Sequence, residues 1–218
     1  MPLEQMKEFE NEILPEFIRN LEELPLTADD KMNLLLTKAG LKPASEINLI
    51  IKSWYEGGIT EHMTDREVQE TIDIIKESGL LFQLGEKIIE KESYQTEKEP
   101  STEKFYEREQ MKVLISRSKE NLDFLIEALK TKSDELLGKA FGFPQTAIEA
   151  FVDKREKLDI GALPKEVRES DAVLFSSPII SKDNWQEEIK QGQIYADFIK
   201  KVSPKIYKEM KTLSLTRE

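Results

Sequence analysis

Cysteine is absent from all 218 residues, and histidine occurs once, at His62. The first absence removes disulfides, thiol nucleophiles, zinc–thiolate sites and iron–sulfur clusters from this chain's own chemistry. The second removes Ser-His-Asp triads and multi-histidine metal sites, so a metal would have to be a hard cation held by carboxylates. No metal and no cofactor is expected. Long apolar runs are missing too. None approaches the ~18 residues of a membrane span, and the acidic N-terminus has no signal-peptide pattern. The expected location is the cytoplasm, with no membrane partner.

Charge is what the chain has in quantity. Charged residues make up 34% of it and the net charge is −11, where soluble domains average ~25% charged. An acidic surface repels phosphate backbones and anionic lipid, so nucleic acid is not the expected partner. The charge is uneven. Residues 1–25 hold seven acids against two bases, and residues 200–217 hold six bases against one acid. Opposite potentials of this kind predict contact between the two ends, within one molecule or across a homodimer.

Periodicity divides the chain into elements. Residues 3–24 carry Leu3, Met6, Ile13, Phe17, Leu21 and Leu24 at helical spacing, with Pro15 kinking or splitting the helix. Thr27-Ala28-Asp29-Asp30 opens a second helix that Gly40 closes. Pro43-Ala44-Ser45-Glu46 opens a third, with Ile47, Ile50, Ile51 and Trp54 inward, ending at Gly57-Gly58. The capping-box pattern Thr64-Asp65-Arg66-Glu67 starts a fourth, with Val68, Ile72 and Ile75 inward and Gly79 as its stop. Residues 80–90 then read as a hairpin turning at Gly85-Glu86, with a continuing helix as the competitor. The polar stretch 93–104 reads as a linker.

Beyond it, residues 111–116 read as a buried strand, and Leu122, Leu125, Ile126 and Leu129 as one face of a helix. Ala172-Val173-Leu174-Phe175 reads as a second strand ended by Ser176-Ser177-Pro178. A long helix capped by Ser181 or Asp183 runs to Val202, and Ser203-Pro204 opens a terminal one. The fold expected is α+β and predominantly helical. A helical, winged-helix-like module (1–92) and a linker (93–104) precede a small α/β module (105–218).

The winged-helix order suggests DNA, but charge opposes it. The would-be recognition helix carries Asp65, Glu67, Glu70, Asp73 and Glu77 against Arg66 and Lys76, where base and phosphate readers use Arg, Lys, Asn or Gln. Ser116-Arg117-Ser118 follows a strand and precedes a helix, a place where α/β proteins hold ligands. There Arg117 could clamp an anion or stand as a solvated charge beside a serine cap. His62 reads as a solvated loop histidine, Trp54 and Trp185 as core or interface, and Asp29-Asp30 and Glu187-Glu188 as solvated helix faces.

An island at residues 139–152 breaks the charge pattern. Phe141-Gly142-Phe143-Pro144 reads as a sharp turn feeding a short apolar helix. Gln145 and Glu149, four apart, share a face of that helix, and with Thr146 and Phe143 could orient a small polar ligand or simply cap and pack. The turn is expected to form a compact junction with strand 111–116 and its neighbouring helices. From Val113 through Phe151 the chain resembles an uncharacterised, mostly archaeal family in which Leu-Gly-Tyr-Pro is followed one residue later by two cysteines. Thr146 and Ala147 stand at those cysteine positions, so any thiol chemistry of that family is not available here.

The expectation that follows is a non-catalytic interaction or small-ligand-binding protein that self-associates. The candidate binding residues are Arg117, Phe143, Gln145, Thr146 and Glu149, and the ligand is small and anionic or polar. One alternative is an enzyme on such a substrate, with Arg117 as anion clamp and Glu149 as acid or base. The other is a winged-helix transcriptional regulator.

Overall fold

The computed structural model describes residues 15–55, 58–96, 99–176 and 180–215, with the backbone alone for 92–105 and 213–215. The expected helix over residues 3–14 lies outside them, as do Gly57 and Ser177-Pro178. Helix α1 (Pro15–Glu23) begins at the proline expected to split it, and α2 (Ala28–Lys38) begins at the Thr27 cap. Strand β1 (Ala44–Tyr55) and the short β2 (Gly58–Glu61) follow, then α3 (Asp65–Glu77) with both halves of its capping box formed. Two long strands come next, β3 (Leu81–Thr96) and β4 (Glu99–Ser116).

The second half adds α4 (Lys119–Thr131), α5 (Asp134–Ala140), α6 (Gln145–Phe151), a 3-10 turn at Ile160–Ala162, α7 (Lys165–Arg168) and α8 (Asp171–Leu174). Two longer helices close the chain, α9 (Trp185–Val202) and α10 (Pro204–Leu215). Ser203 caps the last, its hydroxyl accepting from Ile206 N at 3.2 Å. The fold is therefore α+β and mainly helical, with one antiparallel sheet in the order β2-β1-β4-β3.

Three expectations change. The third helix is strand β1: Ser45, Ile47, Leu49, Ile51 and Ser53 are buried in alternation, and that period of two prevails over the helical spacing that residues 47, 50, 51 and 54 also satisfy. The element order is thus helix, strand, strand, helix, strand, strand, not three helices and a wing. Gly85-Glu86 is not a hairpin turn. It sits in a register shift between Leu84 and Lys87, and β3 continues alongside β4 to Thr96. Residues 172–174, expected with Phe175 as a strand, lie in helix α8, which Phe175 ends and whose short apolar run packs on α9.

The stretch 93–104 is strand except at 97 and 98, which lie outside the described residues. β4 carries this hairpin back to pair with β1 from Ala44↔Ser116 to Trp54↔Glu107, so the sheet joins strands from both sides of the expected boundary.

One face of the sheet carries the main core. Ile47, Leu49, Val113 and Ile115 meet Leu21 of α1, Leu34 and Leu35 of α2, Ile75 of α3, Phe198 and Ile199 of α9 and Ile206 of α10, all fully buried. On the other face Ala44 and Leu114 pack against Leu122, Leu125 and Ala128 of α4 and Ala140 of α5. Alternation along a strand sends neighbours to opposite faces, which is why Leu114 and Val113 serve different clusters. β2 covers only residues 52–55 of β1. Beside the rest, Asp30 Oδ1 accepts from Asn48 N at 3.0 Å, and Ile51 O accepts from His62 N at 2.9 Å. The carboxylate thus occupies a strand edge that would otherwise be open.

Candidate functional site

The island folds as a helix stop followed at once by a helix start. Gly142 takes a left-handed φ of 78°, with Gly142 N donating to Lys139 O and Phe143 N to Gly138 O, the paired bonds of a Schellman end. A Cβ at 142 would stand 2.6 Å from Pro43 Cδ, so absence of a side chain matters twice here. Ser116 Oγ donates to Pro43 O at 2.7 Å and ties the same turn to the end of β4. From α9, Gln191 Nε2 donates to Gly142 O at 3.0 Å, and Tyr195 Oη to Leu41 O at 3.3 Å. The compact junction expected beside strand 111–116 is present.

Of the five candidate binding residues, two meet directly. Gln145 Nε2 donates to Glu149 Oε1 at 3.1 Å. The arginine that clasps Glu149 is Arg155, through Nη2 at 2.9 Å and Nε at 3.1 Å, and its Nη1 reaches Asp183 at 2.6 Å. Arg117 instead stands exposed at the bend between β4 and α4. Gln145 and then Arg155 hold the Glu149 carboxyl below its ordinary range.

Thr146 turns to a different partner. Its hydroxyl donates to Glu188 Oε1 at 2.5 Å and accepts from Asn184 Nδ2 at 3.0 Å. Glu188 also accepts from Ser181 Oγ (2.5 Å) and Ser181 N (2.7 Å), and only 3% of it is exposed. A buried carboxylate needs such donors. Glu188 is therefore not the solvated helix residue its sequence neighbours suggest; it pins the 180–184 loop between α6 and α9. The spacing Glu188, Gly192, Ala196, Ile199 places it in the buried stripe of α9, a signal present in the sequence.

Phe143 stands edge-on to Phe141, ring centroids 6.2 Å apart, and Lys42 Nζ lies 5.8 Å from each ring. Asn33 Oδ1 accepts from that amine at 2.8 Å. Burial pushes the Lys42 pKa down to about 8, against the pull of the rings toward the cation. Nothing in the sequence around Lys42 marks it, because Asn33, Phe141 and Phe143 come from three separate segments.

The second candidate is a cleft of about 550 Å³ between α1 and α3. Leu24, Pro25 and Ile74 supply its apolar surface, and Glu23, Glu67, Glu70, Asp73 and Glu77 line it against one base, Arg19. A smaller pocket of about 90 Å³ shares Asn20, Ile74 and Glu77 with it and adds Phe17. Glu67, Glu70, Ile74 and Glu77 recur three or four apart along α3 and so form one stripe. Four of the five acids that argue against DNA, Glu67, Glu70, Asp73 and Glu77, line this cleft.

His62 Nε2 and Ser53 Oγ lie 2.9 Å apart at the β1–β2 end of the sheet. Among the described residues no cluster of three or more His, Asp or Glu is arranged to hold a metal, and no helix is long and apolar enough to cross a membrane. No family model matches the chain, and neither a curated protein nor a solved structure matches it.

Proposed function

We propose that this is a non-catalytic interaction protein that binds through the cleft between α1 and α3. The observation that carries the reading is an open cavity of about 550 Å³ with apolar residues at Leu24, Pro25 and Ile74 and five carboxylates around them. Concave surfaces with an apolar centre and a polar rim are where proteins dock partners. The island offers less. Glu149 is ion-paired to Arg155 at 2.9 Å with its pKa held down, whereas a general acid or base works best near the ambient pH. Thr146 is engaged by Glu188 and Asn184, which supports a structural role for both residues.

Self-association through opposite chain ends has a competitor inside the molecule. Lys205 Nζ reaches Glu23 at 2.7 Å, and Ser203 Oγ donates to Glu22 at 2.6 Å. A photo-crosslinking residue at Asn20 or Glu77, compared with one at Glu120 on α4, tests the docking reading. One recurrent partner is expected at the cleft positions, displaced by unlabelled protein but not by an Ile74→Trp variant. Equal capture at Glu120, or competition by the tryptophan variant as good as by the native chain, would overturn it.

A further inference from the structure

The occupant of this cleft has a chemistry the walls specify. Resting on the reading that the cleft is a docking surface, we infer that it receives a basic amphipathic α-helix from a different protein. Three observations lead there.

The first is charge. Among the residues lining the cleft, five carboxylates stand against one base, Arg19. Glu70 is paired with Arg66 at 2.7 Å, Asp73 with Lys76 at 3.0 Å and Glu23 with Lys205 at 2.7 Å, all partly exposed. Exposed pairs of this kind contribute little to stability and exchange readily for a partner's cation. Glu77 takes no ion pair among the described residues. Lysine or arginine on the partner complements this rim.

The second is backbone. The facing walls are the helices α1 and α3, and a wall of helical side chains presents no open strand edge to an extended peptide. A helix arrives with its own main-chain hydrogen bonds made. From Glu67 to Glu77 the acidic stripe runs about 15 Å along α3, the length of roughly ten helical residues.

The third is the exclusion of a second copy. This chain's own basic segment is α9–α10, with Lys200, Lys201, Lys205, Lys208 and Lys211. The large apolar side chains exposed among the described residues are Tyr55, Ile59, Leu81, Leu84, Ile89, Phe124 and Phe151, none of them on α9 or α10. Among the described side chains the basic end therefore has charge for the rim but no large exposed apolar residue for Leu24, Pro25 and Ile74. A partner helix needs both, in a stripe.

The probe is a fluorescein-labelled synthetic helix of leucine and lysine, about 14 residues long, with leucine at i, i+3, i+4 and i+7. Its comparators are a scrambled peptide of the same composition and a leucine–glutamate helix. Anisotropy with the full chain is expected to show binding of the first alone, weakening as salt rises past physiological strength. Glu70→Lys with Glu77→Lys should weaken it by about tenfold or more. The same charge change on α4, Glu120→Lys with Glu127→Lys, should cost less than about twofold. Matching melting curves for both double variants keep folding out of the comparison. Binding of the scrambled peptide as tightly, or equal loss in both double variants, would overturn the inference in favour of unspecific attraction to an acidic protein. So would a dimer in sedimentation that only the α3 variant dissociates, because the occupant would then be a second copy. If crosslinks at Asn20 and Glu77 persist while the helix is refused, the docking reading stands and the helix inference falls.

Discussion

Asp30 belongs to a pair, Asp29-Asp30, that reads as the solvated start of a helix, yet only 5% of it is exposed. It accepts from the Thr27 hydroxyl at 2.6 Å and from Asn48 N at 3.0 Å. Burial nevertheless dominates and raises its pKa from 3.8 to about 6. The sign of the consequence follows from proton counting. Between about pH 4 and 6 the folded chain keeps a proton that the unfolded chain has released, so stability falls as pH rises through that window and is flat above it. The gap corresponds to a penalty on the order of 3 kcal/mol at neutral pH. Asn at this position can still accept from Asn48 N, and its amide can donate to Thr27. Urea melts of Asp30→Asn and native protein at several pH values should therefore diverge progressively from pH 4 to 6, the variant lacking that part of the decline. Parallel stability profiles would show that Asp30 titrates normally.

The elements were legible where local signals agreed and illegible where two periods fitted. Thr27, Thr64, Ser118 and Ser203 are caps in the structure as their sequence contexts predict, because a cap is satisfied by residues two or three away. Residues 44–55 satisfy both helical and strand spacing, and pairing with β4 decides the matter. Residues 172–174 lie in α8, packed against α9, and Phe175 ends that helix. That contact is close. A Cβ at Gly192 would collide with Ala172 O and lie 2.7 Å from Ser176 N. Both are backbone atoms, so relief requires the helices to separate. Gly192→Ala is expected to destabilise the protein by about 2–3 kcal/mol, read as a lower urea midpoint at unchanged slope. A midpoint equal to the native one would mean that α8 does not approach α9 this closely. The candidate site divides in the same way. The Gln145–Glu149 pair was visible from a spacing of four on one helix, whereas Arg155, Asp183 and Lys42 come from other segments and carried no signal.

At the scale of the whole molecule, one sheet holds the two halves of the chain together. β1 comes from the first half and β4 from the second, and the main core draws on α1, α2, α3, α9 and α10 alike. Trp54 lies on β1 and Trp185 opens α9, so each half carries its own fluorophore. Urea transitions of Trp54→Phe and Trp185→Phe, each followed by the remaining tryptophan, should coincide with one another and with the loss of helical circular dichroism. Two separated midpoints would reveal units that unfold independently.

Composition alone excluded thiol and multi-histidine chemistry and made the surface acidic, since those follow from which side chains exist. Local spacing placed the caps, most helices and the turn at Gly142, since those depend on near neighbours. Only the tertiary structure made residues 44–55 a strand, buried Asp30, replaced Arg117 by Arg155 at Glu149, and turned the acids of α3 into the wall of a cleft. Each of these depends on segments far apart in the chain meeting at a few ångströms, and no one-dimensional pattern carries that distance.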